Sequence, residues 1–163
     1  MPKKWDTKVV SKETFVKIKK KIANKKIVLV GGDFDIFHFG HLEFLKFAKE
    51  KGEILIIALE SDKSLTIRKK RDPIHTQDKR AQVLAALSIV DFVILLPYFS
   101  KDSHYYEFTK TVSPSFIVVT KGDPQLENKK KQAKLVKAKV LSFPQITGFS
   151  STKFSDYAPF PSN

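Results

Sequence analysis

Five short apolar runs, separated by stretches with helical spacing, constrain this chain more than any other feature. They are the strand at Lys26–Val30, then Ile54–Leu59, Phe92–Leu96, Phe116–Val119 and Val140–Ser142. Each is apolar almost throughout, not alternating, which is how a strand reads when both faces of its sheet are covered. Between them the period changes. Phe15, Ile18 and Ile22 recur among lysines as on an amphipathic helix, and a second helix runs from about Gly40 to Lys51 and stops at Gly52. Thr76 can cap a third through Ala81, Leu84, Ala85 and Leu87, ending near Val90. Residues 105–112 and a lysine-rich stretch through Leu135 and Val136 complete the set. Alternation of this kind predicts an α/β fold, a doubly wound (Rossmann-like) five-stranded parallel sheet in a single domain. Residues 1–10 read as a loosely held arm. With the amphipathic helix they form a unit of residues 1–25, followed by the main domain over 26–163.

The first strand leads into Gly32-Asp33-Phe34-Asp35-Ile36-Phe37-His38-Phe39-Gly40-His41 and then into helical spacing at Leu42, Leu45 and Ala48. A buried strand, a glycine-bearing turn and a helix start therefore meet at two histidines. Unsatisfied N–H groups and the dipole at a helix start favour anions, phosphate above all. The spacing puts His38 just before the helix and His41 on its first turn, and Gly40 lets a ligand approach the backbone. Strand ends carrying Lys121-Gly122-Asp123 and Ser150-Ser151-Thr152 fall on the same sheet edge, where ligands bind in open parallel sheets.

The pattern Gly-x-Phe-Asp-x-x-His-x-Gly-His, carried by Gly32, Phe34, Asp35, His38, Gly40 and His41, resembles the signature of the cytidylyltransferase-like nucleotidyltransferases. The resemblance implies transfer of a nucleotidyl group from an NTP to a phosphorylated small molecule, with release of pyrophosphate. It gives His38, His41 and Arg80 catalytic roles, Arg80 ending the stretch Thr76–Arg80 and helping to hold the phosphates. It puts Asp33, Phe34, His38, Gly40, His41, Asp123, Ser150, Ser151 and Thr152 around the nucleotide, and Lys69 and Arg71 where the acceptor's phosphate is received. Mg²⁺ is implied as a companion of the triphosphate. Such an ion needs few protein ligands, and no residue is assigned to it. Asp33 departs from the Cys or Thr common at its position.

Two branches of the family differ at identifiable places. Glycerol-phosphate cytidylyltransferases carry arginines where this chain has Gln145 and Ser88. The stretch Arg71-Asp72-Pro73, with Arg80, Val83–Leu87 and Val90-Asp91, is more similar to heptose-phosphate adenylyltransferases. ATP is therefore the expected donor and a sugar phosphate the expected class of acceptor. A cytidylyltransferase, a flavin-type adenylyltransferase, and an inactive nucleotide- or RNA-binding protein on the same fold are the alternatives.

Composition sets the remaining bounds. There is no cysteine, which excludes disulfides and thiolate metal sites, and no apolar run approaches the ~20 residues of a membrane helix. A cytoplasmic address is the expectation. The net charge of +13 comes largely from lysines crowded at 17–26 and 129–139, interleaved with apolar residues as on solvated helix faces. This favours phosphorylated substrates and only non-specific attraction to nucleic acid. A homodimer is compatible with the chain.

Overall fold

In a computed structural model the described residues are 6–144 and 146. The chain forms a parallel sheet with helices on both faces. A two-residue strand β1 (Val9–Val10) precedes helix α1 (Lys12–Lys19), which Ser11 caps by accepting from the Thr14 amide at 3.1 Å. Then come β2 (Ile27–Gly32), α2 (Phe39–Lys49), β3 (Ile54–Leu59), α3 (Asp62–Lys69) and α4 (Gln77–Ala86). The remainder is β4 (Phe92–Leu95), α5 (Asp102–Val112), β5 (Phe116–Thr120), α6 (Leu126–Leu135) and β6 (Lys139–Phe143).

The strand order is β1-β4-β3-β2-β5-β6. Progress from β2 through β3 to β4 runs one way; β5 then returns to the other side of β2, pairing Val28 with Phe116 and Val30 with Val118. The order thus reverses between β2 and β5, and a crevice opens beyond their carboxyl ends. Alternate residues of β2 feed different cores. Val28 and Val30 pack with Phe44, Leu45 and Leu84 under α2 and α4. Ile27 and Leu29 pack with Phe15, Phe108 and Val112 under α1 and α5. Burying each such side chain contributes roughly 1.5–3 kcal/mol, so the apolar runs hold both layers onto the sheet.

The sheet has six strands where five were expected. Val9 and Val10 pair with Val93 and Ile94, so the arm is tied at its end to the sheet edge. Val10 is buried and Lys8 donates to the Leu87 carbonyl at 2.9 Å. Two residues are too few to display a period, which is why this strand is silent in the sequence. Gly52 does not act as the αL cap of α2. A side chain there would put its Cβ 2.6 Å from the Lys26 carbonyl oxygen, so close approach to the start of β2 demands the glycine. Thr76 stands at the start of α4 without making a side-chain cap bond.

Candidate active site

The turn after β2 is held in a conformation it would not choose alone. Phe34 has φ 48°, a left-handed backbone that costs a β-carbon-bearing residue roughly 1–2 kcal/mol. Its ring is buried against His41, with centroids 5.0 Å apart. Asp35, 1% exposed, accepts from the amides of Ile74 (2.8 Å) and His75 (3.2 Å). Arg71 Nη1 lies 3.0 Å from the other Asp35 oxygen, off the line of a hydrogen bond, and so supplies charge without a donated proton. Asp35 thereby staples the turn to residues 74–75.

His38 caps α2. Its Nδ1 accepts from the His41 amide at 3.3 Å, which fixes the neutral tautomer with the proton on Nε2. The two imidazoles stack, centroids 3.8 Å apart and planes 17° from parallel, and Phe37 closes over His41 at 5.7 Å. Burial lowers the pKa of His38. For His41 burial is again the largest cause, joined by the charges of His38 and Lys69, and its pKa falls to about 3. The Ile36 carbonyl pulls the other way, yet the buried Nδ1 of His41 makes no hydrogen bond of normal geometry. Near neutrality the pair is therefore two uncharged rings at a helix start, able to donate to an anion and to gain charge when one arrives.

Arg68 and Lys69 reach from the last turn of α3 to one carboxylate: Arg68 hydrogen-bonds Asp33, and Lys69 Nζ stands 3.1 Å from its second oxygen. Arg80 is 1% exposed and lines neither of the two cavities at the strand ends. Its Nε donates to the His75 carbonyl (3.0 Å), Nη1 to the Asp33 carbonyl, and Nη2 to the Glu60 carbonyl (2.9 Å) and Asp62 (2.7 Å). The guanidinium ties together the ends of β2 and β3, the start of α3 and the segment before α4. The resemblance assigns it to the phosphates; here its donors are spent on the protein itself.

Across the crevice, Gly122 (φ 82°) turns the chain after β5, and Asp123 accepts from the Gln125 amide (2.7 Å) and Lys129 Nζ (2.6 Å). Ser150, Ser151 and Thr152, like Gln145, lie outside the described residues.

Two cavities meet at the strand ends. The smaller, about 170 Å³, lies on the α2 side and is lined by Phe34, His41, Phe44 and Val119. The larger, about 580 Å³, lies on the α5–α6 side and is lined by Leu29, Ala58, Glu60, Tyr105, Phe108 and Ile117. Gly31, Gly32, Asp33, Thr120, Asp123 and Lys129 belong to both. The structure thus brings His41, Asp33 and Asp123 to one mouth. Sequence reasoning missed Glu60, Tyr105 and Lys129. Tyr105 reads in the sequence as a helix residue and Lys129 as one more solvated lysine. Lys129 alone carried a signal, six residues after Asp123 and within the first turn of the following helix.

Among the described residues no cluster of three or more His, Asp or Glu could cage a metal ion, and no helix is long and apolar enough to cross a membrane. The carboxylates at the mouth, Asp33 and Asp123, are paired with cations, so the residues fit a hard divalent cation carried on phosphate oxygens and water and not one caged by the protein.

Similar proteins place this geometry. A bifunctional protein HldE from Helicobacter hepaticus is 37% identical over 114 residues, 69% of this chain and 23% of that protein. Another, from Sulfurimonas denitrificans, is 40% identical over 99 residues, 60% of this chain and 20% of that protein. The chain thus spans about a fifth to a quarter of the length of these curated relatives. Among solved structures, the lipopolysaccharide core biosynthesis protein from Thermoplasma volcanium superposes with a TM-score of 0.59 at 26% identity, covering 75% of this chain and 97% of that one. The pantoate-beta-alanine ligase from Francisella tularensis, at 16% identity, shares the fold alone, with a TM-score of 0.68 over 90% of this chain and 72% of that one. The cytidylyltransferase-like family matches residues 29–154, and the chain belongs to it.

Proposed function

We propose that this domain transfers AMP from ATP to the phosphate of a sugar phosphate and releases pyrophosphate. The observation that carries the reading is the stacked His38–His41 pair at the start of α2, at the strand-order reversal and beside a basic α3 terminus. An acceptor phosphate is already ionised near neutral pH and needs no strong general base. One of its oxygens attacks the α-phosphorus. The new O–P bond forms as the bond to the bridging oxygen breaks, and pyrophosphate leaves with that electron pair. The protein's task is alignment and donation to the developing charge. His38 and His41 supply N–H donors to the phosphates, with the positive end of the α2 dipole behind them. Lys69 and Arg71 receive the acceptor's phosphate, and Arg80 acts by positioning the strand ends. A divalent cation, when bound, neutralises charge on the triphosphate.

ATP is favoured over CTP because the two arginines of the cytidylyl branch are replaced by Gln145 and Ser88. A sugar phosphate is favoured by the similarity to heptose-phosphate adenylyltransferases and by the HldE relatives. The test is pyrophosphate release with ATP and with CTP, each with Mg²⁺, against a panel of phosphorylated acceptors. Turnover with ATP and a sugar phosphate is expected. A clear preference for CTP would overturn the adenylyl assignment.

A further inference from the structure

The larger cavity carries a pair of side chains that the transferase chemistry leaves unused. Glu60, at the end of β3, is 8% exposed, and Tyr105 of α5 donates its hydroxyl to it, 3.1 Å from each carboxylate oxygen. Of the described carboxylates lining the cavity, Asp33 and Asp123 are matched by cations and Asp102 is exposed. Glu60 alone is buried with no salt bridge among the described residues. Burying a carboxylate without a cation bonded to it is costly, and burial raises its pKa accordingly, against the hydrogen bond from Tyr105, the charge of Arg68 and the Ser64 hydroxyl. The group is also rigidly presented. Its amide donates to the Gly32 carbonyl at 3.1 Å, and its own carbonyl is held by Arg80.

The bonding pattern decides what such a wall can receive. Because Tyr105 spends its only proton on Glu60, the pair turns acceptor lone pairs toward the cavity: those left on the carboxylate and those on the phenol oxygen. A ligand must bring donors to meet them. Leu29, Ala58, Phe108 and Ile117 shape the rest of the wall, and Arg68 stands on the same lining. A cationic ligand would meet that guanidinium, whereas hydroxyl groups donate without adding charge. A volume of about 580 Å³ suits a small molecule.

We propose that Glu60 and Tyr105 form a hydroxyl-reading subsite that selects acceptors bearing a polyhydroxylated chain. The proposal rests on the transferase reading for its phosphate end, and it concerns binding alone, so it is tested without turnover. The probes share a phosphate and differ in the group it is attached to: a heptose 1-phosphate, n-hexyl phosphate and 6-aminohexyl phosphate. Each is titrated calorimetrically into the wild-type protein, Glu60→Gln and Tyr105→Phe. Glu60→Gln keeps the shape and removes the charge; Tyr105→Phe removes the single hydroxyl.

The wild type is expected to bind the heptose phosphate at least about tenfold more tightly than hexyl phosphate, or about 1.4 kcal/mol. Both variants are expected to bring that ratio to within about twofold while leaving hexyl phosphate affinity unchanged. A merely structural role would weaken all probes together and leave the ratio intact, which overturns the proposal. So does a wild type that prefers hexyl phosphate, and one that prefers the aminohexyl probe identifies an ammonium subsite instead. Failure of pyrophosphate release with intact discrimination would sink the transferase reading and spare this one.

Discussion

Lowering the pH from 7 to 5 should destabilise the unliganded protein by about 2 kcal/mol through His41 alone. Burial, with the charges of His38 and Lys69, lowers its pKa from the ordinary 6.5 to about 3 in the folded protein. In the unfolded chain the ring takes its proton near 6.5. Below that pH the unfolded state binds more protons than the folded one, so the stability is complete above pH 6.5 and drains away as pH falls toward about 3. At pH 5 the unfolded ring is about 1.5 units below its pKa and the folded ring is still neutral. At 1.36 kcal/mol per unit this gives about 2 kcal/mol. Urea unfolding of the wild type and of His41→Gln at the two pH values reads the effect directly. The variant starts from its own baseline, and its loss between pH 7 and 5 is expected to be about 2 kcal/mol smaller. Equal losses in the two proteins would refute the claim that a neutral, desolvated imidazole sits at this helix start. A bound triphosphate should reverse the bias, since its negative oxygens favour the imidazolium. ATP affinity is then expected to rise in the wild type as falling pH lets the bound form take up the proton, and to stay flatter in the variant.

His38→Ala and His41→Ala should each lower turnover by two orders of magnitude or more while keeping the circular-dichroism spectrum, as loss of a donor to developing charge does; near-normal turnover would remove both from the chemistry. Replacing Lys69 and Arg71 together with Ala should raise the acceptor KM about tenfold and change ATP affinity less. Calorimetry showing lost ATP binding would move these cations to the triphosphate. Arg80→Met should cost about 3–5 kcal/mol in urea unfolding, because Asp62 and three backbone carbonyls lose a buried charged partner. A loss below about 1 kcal/mol would contradict this tying role. Binding to mixed-sequence DNA should be weak and fall steeply with salt; sequence-selective binding at physiological ionic strength would favour a nucleic-acid module.

The apolar runs made most of the sheet legible because a strand covered on both faces has no polar positions to confuse its reading. Ile54–Leu59 is buried from Leu55 to Leu59 and reads as such in the sequence. Val9–Val10 was illegible for the opposite reason: its placement depends on an open edge at β4, a property of the assembled sheet. The histidine turn was legible as chemistry because glycine, helix start and imidazoles are contiguous. What contiguity could not reveal is the partner of each charge. Asp33 reads as a carboxylate beside a triphosphate until α3 folds and delivers Arg68 and Lys69 to it from 35 and 36 residues away. Glu60 and Tyr105, 45 residues apart, become one unit only when α5 packs across the sheet.

The pairing of Arg68, Lys69 and Arg71 with two carboxylates divides them by availability. Asp35 has a fully buried side chain and also carries the Ile74 and His75 amides, so releasing Arg71 would leave a buried charge and a loosened turn. Asp33 is different. Its side chain is 19% exposed, it stands at the mouth shared by both cavities, and among the described residues its oxygens pair with Arg68 and Lys69. An entering phosphate can exchange with this carboxylate for the same donors. The net gain in ground-state binding is then the difference between two ion pairs, smaller than either one. Restraint of that kind suits catalysis, which gains only from contacts that strengthen as the reaction proceeds. On the proposed reading, Lys69 is therefore the readily exchanged contact for the acceptor's phosphate, and Arg71, the other, also fixes the turn that presents His38 and His41.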